Sequence, residues 1–448
     1  MRAARPSLAG AEPGRPDGGT ADTLVFRRFQ ALVVAFLLLL AALATGYAFL
    51  WFLVYLGILV LAAAWLVTRV GLSNLEAGFT LDRGQAHVGE TLAATYTLRN
   101  TSRLPKLWLE IHNPSTLPLP IPGRAVALGP RQERSWVARV ELDRRGLYRI
   151  DPMVVRTGDP LGLFESYATV GAGAGVVVYP AVEALPHWRL PPAVIEGANV
   201  RPQRTLQSTP LVTSIRPYVT GDAFNHIHWK SSARQQELQV KEFALEQTAD
   251  VWLFLDLDRA VHTGGDADAT IETAASACAS LAARAIRDGR AVGVEAIGAR
   301  RAVLPVDRGP RQLQKVLHLL AAVQPDGSIP LQVLLLDGFV RLRRGMTAIV
   351  ITASLERDWV RSLAALRSRG VSAMVCILDP MVHDTLTRQA RGLPELASEA
   401  RDAWLRDLQA LHHALAEYEL TSFDLVPRRA LGEQLISSVS FGAVAVAR

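Results

Sequence analysis

The pattern of apolar and polar positions changes twice along the chain and divides it into three regions. The first region is apolar: no charged residue occurs from Ala31 to Val67, and only Thr45-Gly46-Tyr47 interrupts it. A helix needs ~20 residues to cross the hydrocarbon core of a bilayer. The run is nearly twice that length, and Gly46 supplies the backbone freedom for a turn. We therefore predict a hairpin of two transmembrane helices within residues 25–70.

The residues that flank this apolar run predict how the hairpin is oriented. Arg27 and Arg28 precede it and Arg69 ends it, so the positive-inside rule places both chain ends and all later residues in the cytoplasm, on the inner side of the cell membrane. A cleaved signal peptide is the alternative, but the apolar part of a signal peptide is shorter. Residues 1–24 are rich in Gly, Pro, Ala and Arg, which predicts a disordered tail.

The second region, residues 71–196, alternates apolar and polar residues with a period of two. Thr91–Leu98 and Trp136–Leu142 show this alternation, and polar turns separate such runs. Short, regularly spaced strands of this kind indicate an antiparallel β-sandwich of Ig-like architecture. A true antibody-type domain is not indicated, because the Cys…Trp…Cys pattern is missing.

The third region, residues 249–448, alternates predicted strands with predicted helices. Asp250–Asp256 is a continuous apolar run closed by an acid, as expected for a strand buried on both faces. The alternation predicts a doubly wound α/β sheet. Residues 197–248 lie before this region, and their polar part, Gly197–Ser214, is interpreted as a linker or exposed loop. The further predicted elements are strands at Ala291–Ile297, Met346–Ile351 and Val371–Leu378, and helices at Ala269–Arg287, Arg311–Val323, Glu356–Ser368 and Glu399–Leu415.

Composition excludes several functions. The net charge of +6 is spread along the chain, so nucleic acid is not indicated as a partner. The two cysteines, Cys278 and Cys376, lie in apolar segments without C-x-x-C spacing, so we interpret them as buried core residues. The sequence contains no G-x-x-x-x-G-K-[ST] motif, and ATP binding by this chain is therefore not expected.

Two stretches carry a family resemblance. The first is Arg144–Arg149 followed by Gly158–Phe164, and the second runs from Arg216 to Glu242. Both resemble the membrane-anchored "domain of unknown function 58" (DUF58) proteins, which carry a von Willebrand A-like domain. Ala223 and Asn225 depart from the acid and the arginine that the family commonly has there. The signature residues that match are Arg216, Tyr218, Gly221, Asp222, Ile227, His228, Trp229, Lys230, Arg234 and Glu242.

The resemblance implies a function in binding. Proteins of this family act beside MoxR-type AAA ATPases, and often near transglutaminase-like membrane proteins, as adaptor or assembly factors without an established reaction of their own. We therefore expect a non-catalytic, membrane-tethered adaptor. In the signature segment, Trp229 is interpreted either as an exposed anchor for a partner or as a core residue, while Arg216, Lys230 and Arg234 offer fixed cations.

The resemblance also implies a position for a cation site. A von Willebrand A domain binds a divalent cation through D-x-S-x-S and later oxygen ligands. Here the matching residues are Asp256, Asp258 and Ala260, so an acid replaces the first serine and the second hydroxyl is missing, while Thr352 and Ser354 offer hydroxyls from a later loop. Asp256 and Asp258 are therefore interpreted as a degenerate site. It either holds Mg²⁺ weakly or forms a charged rim for a partner, and we favour the rim.

Two other functions stay open at this stage. Asp222, His226 and His228 are close in sequence, and two histidines two residues apart share one face of an extended segment, so a metal-dependent hydrolase is the main alternative. No third ligand at suitable spacing and no nucleophile motif supports it. A purely structural scaffold is the other alternative, and it predicts that Arg216 and Trp229 can be changed without loss of any association.

Overall fold

A computed structural model describes residues 33–188, 212–219, 222, 224, 227–243, 250–264 and 266–436. The chain forms two compact units, Met1–Tyr179 and Pro180–Arg448. The predicted tail, the start of the first predicted span and most of the predicted linker lie outside the described residues.

Two apolar helices open the described chain. The described part of the first helix, α1, is Val33–Thr45, and the second, α2, is Ala48–Gly71. Gly46 lies between them with φ +67°, a left-handed conformation that glycine adopts without strain. Within the described residues, α2 is the helix long and apolar enough to cross a membrane, with 24 residues and a length of ~36 Å. The helix break therefore falls where the sequence predicted it.

The β-rich part of the first unit consists of three sheets. Their strand orders are β1-β3-β6, β2-β10-β7 and β5-β4-β8-β9, and within these three sheets β2 and β10 pair in parallel while the other described pairs are antiparallel. The strands are β1 Leu75–Leu81, β2 Gln85–His87, β3 Thr91–Asn100, β4 Lys106–His112, β5 Arg124–Leu128, β6 Glu133–Glu141, β7 Gly146–Ile150, β8 Met153–Gly158, β9 Glu165–Val170 and β10 Ala174–Tyr179.

One hydrophobic core joins these three sheets. On β3 the buried residues are every second one, from Leu92 to Leu98, which is the period-two pattern seen in the sequence. Tyr96 stacks on Trp136 of the neighbouring strand with ring centroids 5.2 Å apart. Alternate burial of this kind explains why the sequence predicted strands here.

The second unit contains a mixed sheet of six described strands with helices around it. The sheet order is β15-β14-β13-β16-β17-β18, and the edge strand β15 is antiparallel to β14 while the other pairs are parallel. The elements of this unit are β11 Val212–Pro217, α3 Trp229–Gln235, β12 Gln239–Phe243, β13 Val251–Asp256, α4 Thr270–Arg287, β14 Val292–Ile297, β15 Arg301–Asp307, α5 Pro310–Ala322, α6 Leu331–Gly338, β16 Thr347–Thr352, α7 Asp358–Ser368, β17 Ser372–Leu378, α8 Pro380–Ala390, α9 Ser398–Glu417, β18 Thr421–Leu425 and α10 Leu431–Gln434.

Both faces of the six-stranded sheet are covered. Trp252 and Phe254 of β13 share a buried cluster with α6, α7 and α9. Because side chains alternate along a strand, Leu253 and Leu255 point to the opposite face, and α4 contacts β13 without joining that cluster. Every residue of β13, β14 and β16 is buried, as the continuous apolar runs predicted.

The structure also corrects the sequence interpretation in places. Strand β11 begins inside the stretch that was interpreted as a linker or loop, and it pairs with β12 in a two-stranded sheet. The predicted helices and strands of the third region agree with the structure to within about two residues. Within that region the sequence analysis missed the strands β15 and β18 and the helices α6, α8 and α10, and before it the helix α3 and the strand β12.

Candidate functional site

The first candidate site lies at the carboxyl ends of β13 and β16. These two strands are neighbours in the sheet and run in parallel. After β13 the chain moves to β14 on one side, and it later returns to β16 on the other side. In an open α/β sheet such a change of direction leaves a crevice outside the strand ends, and ligands commonly bind there.

Asp256 is the central residue of this crevice. Its side chain is buried, with 1% of the residue exposed. Its Oδ1 accepts the backbone N–H of Asp258 at 3.0 Å, and its Oδ2 accepts the hydroxyl of Thr352 at 2.6 Å. Burial raises the pKa of Asp256 to about 6, and the negative charges of Asp258 and Glu356 add to that rise, although the two hydrogen bonds oppose it. The sequence had predicted Asp256 and Thr352 for this place, and the structure brings them together.

The other oxygen atoms of the crevice are partly used within the protein. Asp258 Oδ1 accepts the N–H of Ala260 at 3.0 Å, and Thr352 Oγ1 accepts the N–H of Ser354 at 2.9 Å. Ser354 Oγ in turn accepts the N–H of Glu356 at 3.3 Å. These atoms are of the type that Mg²⁺ prefers, but the hydrogen bonds described above already use part of their capacity to accept. In the described part of the chain no group of three or more His, Cys, Asp or Glu side chains could hold a metal ion.

His262, which the sequence analysis did not select, contacts the backbone at the end of β13. His262 Nε2 lies 2.9 Å from the backbone oxygen of Asp256, and its Nδ1 lies 2.8 Å from Thr270 Oγ1. A carbonyl oxygen can only accept, so Nε2 carries the proton. His262 thereby ties the end of β13 to the start of α4. Its position six residues after Asp256 gives no sequence signal for this contact.

The second candidate site is the signature segment, in which an ion pair fixes the turn that follows β11. Arg216 and Asp222 form a two-pronged ion pair, with Nη1 to Oδ2 and Nη2 to Oδ1 both at 2.8 Å. Asp222 Oδ2 also accepts the backbone N–H of Val219 at 3.0 Å. A guanidinium matches a carboxylate in this geometry, which orients both groups. The pair therefore fixes the turn, and Asp222 is held by Arg216 and the backbone.

His228 has a structural contact at the start of α3. Its Nδ1 accepts the backbone N–H of Ser231 at 3.1 Å, which caps the helix, and its own N–H donates to Gln239 O at 2.7 Å. The preceding residue, Ile227, is buried and pairs with Val240 of β12. The short helix is thus pinned against the two-stranded sheet.

Exposed apolar side chains gather on this pinned segment. Trp229 is 67% exposed and Phe224 is 71% exposed, and the rings of Phe224 and Tyr218 are stacked 6.0 Å apart. The core interpretation of Trp229 is therefore wrong. We call the exposed apolar residues the signature surface; they are Ile215, Val219, Phe224, Trp229 and Leu238.

The remaining signature residues have varied placements. Lys230 and Arg234 are exposed on α3, and Lys230 directly follows Trp229. Glu242 lies in β12, where its backbone pairs with Ser214. Gly221 and His226 lie outside the described residues, as do the two departures Ala223 and Asn225.

Comparisons with known proteins agree with the motifs. Residues 214–386 match the family described as "Protein of unknown function DUF58". The "Uncharacterized protein YeaD" of Bacillus subtilis (strain 168) is 27% identical over 319 residues, which cover 70% of this chain and 74% of that protein. Both findings support a DUF58 protein.

Solved structures give only partial matches. A CARDB domain from Pyrococcus furiosus is 16% identical with a TM-score of 0.18, and the match covers 23% of this chain and 91% of that domain. A beta-glucosidase from Listeria innocua is also 16% identical, with a TM-score of 0.16, and the match covers 24% of this chain and 16% of the enzyme. Similarity at this level supports no conclusion about fold or function.

Proposed function

We propose, from the similarity to DUF58 proteins, that this chain is a non-catalytic adaptor, tethered to the cell membrane, whose second unit binds a AAA ATPase of the MoxR type. The observation that carries the proposal is the signature surface. Large apolar side chains, among them Trp229 and Phe224, are exposed on this segment. The Arg216–Asp222 ion pair and the His228 helix cap hold the segment in place. A rigid aromatic anchor beside fixed cations is typical of a surface that binds another protein.

The tether is α2 together with α1. In this proposal the two helices form a hairpin that turns at Gly46, and both chain ends lie in the cytoplasm. The left-handed Gly46 between the helices and the single basic residue Arg69 in the last turn of α2 support this arrangement. The cation–π contact of Arg69 with Trp65, at 5.3 Å, places two interfacial residue types together at the end of the helix.

The two units have separate roles in the proposal. The β-rich part of the first unit is an Ig-like spacer, supported by its mostly antiparallel strands and shared core. The second unit is a von Willebrand A-like domain, supported by its mostly parallel sheet and by Asp256 at the end of a central strand. A transglutaminase-like membrane protein is a further expected neighbour.

The crevice at Asp256 contributes charge to partner binding. The Thr352 hydroxyl donates to the carboxylate of Asp256 and accepts the backbone N–H of Ser354, so both side chains are held in place by partners within the protein. Asp258 is partly exposed and Glu356 is exposed, and each is followed by an exposed arginine, Arg259 and Arg357, so the rim of the crevice carries both signs of charge. The adaptor therefore offers a charged rim and an apolar surface, and a partner face with complementary charges and apolar groups would fit them.

The contacts of the signature segment favour binding over hydrolysis. A general base needs a free lone pair that faces the substrate. Asp222 is held by Arg216 and a backbone N–H, and the Nδ1 of His228 caps α3. These contacts are why the hydrolase that uses Asp222, His226 and His228 is not our proposal.

Affinity purification from detergent-solubilised membranes tests the proposal. The tagged chain should retain a AAA ATPase that is identified by mass spectrometry, and the double variant Trp229→Ala/Phe224→Ala should lose it. Val340→Ala is the matched control, because Val340 is a highly exposed apolar residue of the same unit away from the signature segment. An ATPase retained equally by all three proteins would overturn the role of the signature surface. If the unchanged chain retains no ATPase, the scaffold alternative gains support.

A further inference from the structure

The end of α2 is locked into the β-rich part of the first unit. Ala64, Thr68 and Gly71 follow one another at helical spacing and form the buried face of the helix end. Gly71 touches β8 so closely that an added Cβ would lie 2.7 Å from Thr157 Cγ2. The Lys106 ammonium group donates to the backbone oxygen of Val70 in the last turn of the helix, which ties β4 to the helix end. The β-rich part is therefore joined directly to the C-terminal end of α2.

The opposite side of the helix end marks the level of the membrane surface. Trp65 is half exposed and carries Arg69 over its ring. Tryptophan prefers the headgroup layer, and arginine near a helix end reaches toward it. Trp65 and Gly71 are six residues apart, which is ~9 Å along the helix. The contact between Gly71 and Thr157 is therefore within ~9 Å of the interfacial layer.

A β-bulge next to this contact turns two large apolar side chains outward. Between β4 and β5 the pairing shifts from Lys106↔Leu128 to Leu109↔Val126, so β4 holds one extra residue. As a result Leu107 and Trp108 are both exposed although they are neighbours, with Leu107 at 63%.

Two further leucines are exposed close by. Leu161 is 52% exposed at the tip of the turn after β8, and Asp159 holds that turn by accepting the backbone N–H groups of Leu161, Leu163 and Phe164. This turn starts at Gly158, where an added Cβ would lie 3.4 Å from Trp108, and Gly158 follows Thr157. Leu104, just before β4, is also exposed.

We propose that Leu104, Leu107, Trp108 and Leu161 are a membrane seat: they enter the interfacial layer of the bilayer that α2 spans, and they hold the β-rich part of the unit against the lipid. The inference rests on the proposed membrane tether. Continuity decides the occupant, because the strand and the turn that carry these residues join the contact with Gly71. Leucine and tryptophan side chains gain free energy in the interface, and Trp108 has the residue type of the aromatic belt.

Fluorophore depth measurements on the full chain in nanodiscs test the seat. Leu107→Cys and Leu161→Cys are each labelled with an environment-sensitive dye. Leu147→Cys is the control, because Leu147 is exposed to a similar extent but lies on β7, in another sheet. The native Cys278 and Cys376 are buried, and labelling of the unchanged chain gives their background. We expect dyes at 107 and 161 to be quenched by lipids that carry a quencher near the headgroup, and the dye at 147 by aqueous iodide.

The outcomes separate the seat from the tether. If the chain stays in the nanodisc while the dyes at 107 and 161 are quenched by iodide as strongly as the dye at 147, the seat is wrong and the tether stands. If the chain does not remain with the nanodisc, the tether itself fails. Lipid quenching that appears only when two chains share one nanodisc would assign these residues to a second copy instead. Leu161→Asp, which leaves the Asp159 turn contacts in place, should abolish lipid quenching at 107.

Discussion

The two candidate regions of the second unit differ in which of their side chains already have partners within the protein. At the carboxyl ends of β13 and β16, the carboxylate of Asp256 is buried and its hydrogen bonds are made to Thr352 and the backbone. In the signature segment, Arg216 and Asp222 satisfy each other, but Trp229 and Phe224 remain in solvent. The first region is thus closed and polar, and the second is open and apolar. A closed region responds to protons or ions, whereas an open apolar region responds to a partner.

The largest expected effect concerns the open region. Trp229→Ala should weaken capture of the ATPase by about 30-fold or more, since loss of a central aromatic anchor costs about 2 kcal/mol or more. The free energy of unfolding should change by less than about 0.5 kcal/mol, because the side chain is exposed. Titration of purified partner onto nanodisc-held chain measures the first quantity, and denaturant unfolding measures the second. If Trp229→Ala lowered the free energy of unfolding strongly and left capture of the ATPase unchanged, Trp229 would serve stability and not partner binding.

The next effect concerns the closed region and depends on pH. Asp256 has an ordinary pKa near 3.8 and a folded-state pKa of about 6. Well below pH 3.8, Asp256 is protonated in both the folded and the unfolded state, so it has no effect on how stability depends on pH. Between pH 3.8 and about 6 the unfolded state releases the proton while the folded state keeps it, so the free energy of unfolding falls over this range. Asp256→Asn should therefore raise the free energy of unfolding at pH 8 by about 2–3 kcal/mol and leave it little changed at pH 4.

The two cysteines give a readout for that measurement. Cys278 and Cys376 are buried in α4 and β17, and they are the only cysteines of the chain. Their reaction with a thiol reagent, applied in a pulse at one fixed pH after incubation in denaturant, reports opening of the second unit alone. An Asn variant whose stability still falls between pH 4 and pH 8 by the same amount as the unchanged chain would contradict the assignment of that titration to Asp256.

Thr352→Val should act in the opposite direction. The variant keeps the shape of the side chain but removes the hydroxyl that donates to Asp256 Oδ2 and accepts the N–H of Ser354. We expect a loss of about 1–3 kcal/mol at pH 8, where Asp256 is charged, and a smaller loss at pH 5. The cysteine readout measures this as well. Equal losses at both values of pH would show that the hydroxyl does not interact specifically with the charged carboxylate.

The smallest expected effect tests how far the ion pair orients the open region. Arg216→Lys keeps the charge but cannot form the two parallel hydrogen bonds with Asp222. The pair is partly exposed, so the loss of stability should be about 1 kcal/mol or less, and capture of the partner should fall several-fold and become more sensitive to salt. Titrations at low and high salt measure this. If the Arg216→Lys variant captured the partner as well as the unchanged chain at every salt concentration, the ion pair would have no role in orienting the signature surface for the partner.

Local sequence patterns predicted the parts of the fold that depend on burial. β13 was visible because its apolar run has no polar break, and α4 was visible because its apolar residues repeat at helical spacing. The strand β15 was missed because it is an edge strand, half exposed, and contains Pro305. The helix α6 was missed because it is only eight residues long.

The candidate sites were predicted in part for a similar reason. Asp256 was found because it ends an apolar strand, and Thr352 because it ends another. That these two side chains bond to each other depends on β13 and β16 being neighbours, which no local pattern contains. Likewise Asp222 was grouped with His226 and His228 by closeness in sequence, whereas its observed partner Arg216 lies across the turn.

The glycine at the end of α2 has a mechanical consequence. Since Gly71 lies directly against Thr157 and Lys106 donates to the carbonyl of Val70, we expect the helix and the strands beside it to move together as one rigid body. In the proposed tether, the inclination of α2 varies with bilayer thickness, because tilting changes how much of its apolar length lies in the hydrocarbon layer. Each change of inclination would rotate the attached strands by the same angle. The orientation of the β-rich part relative to the membrane plane would therefore depend on the thickness of the bilayer.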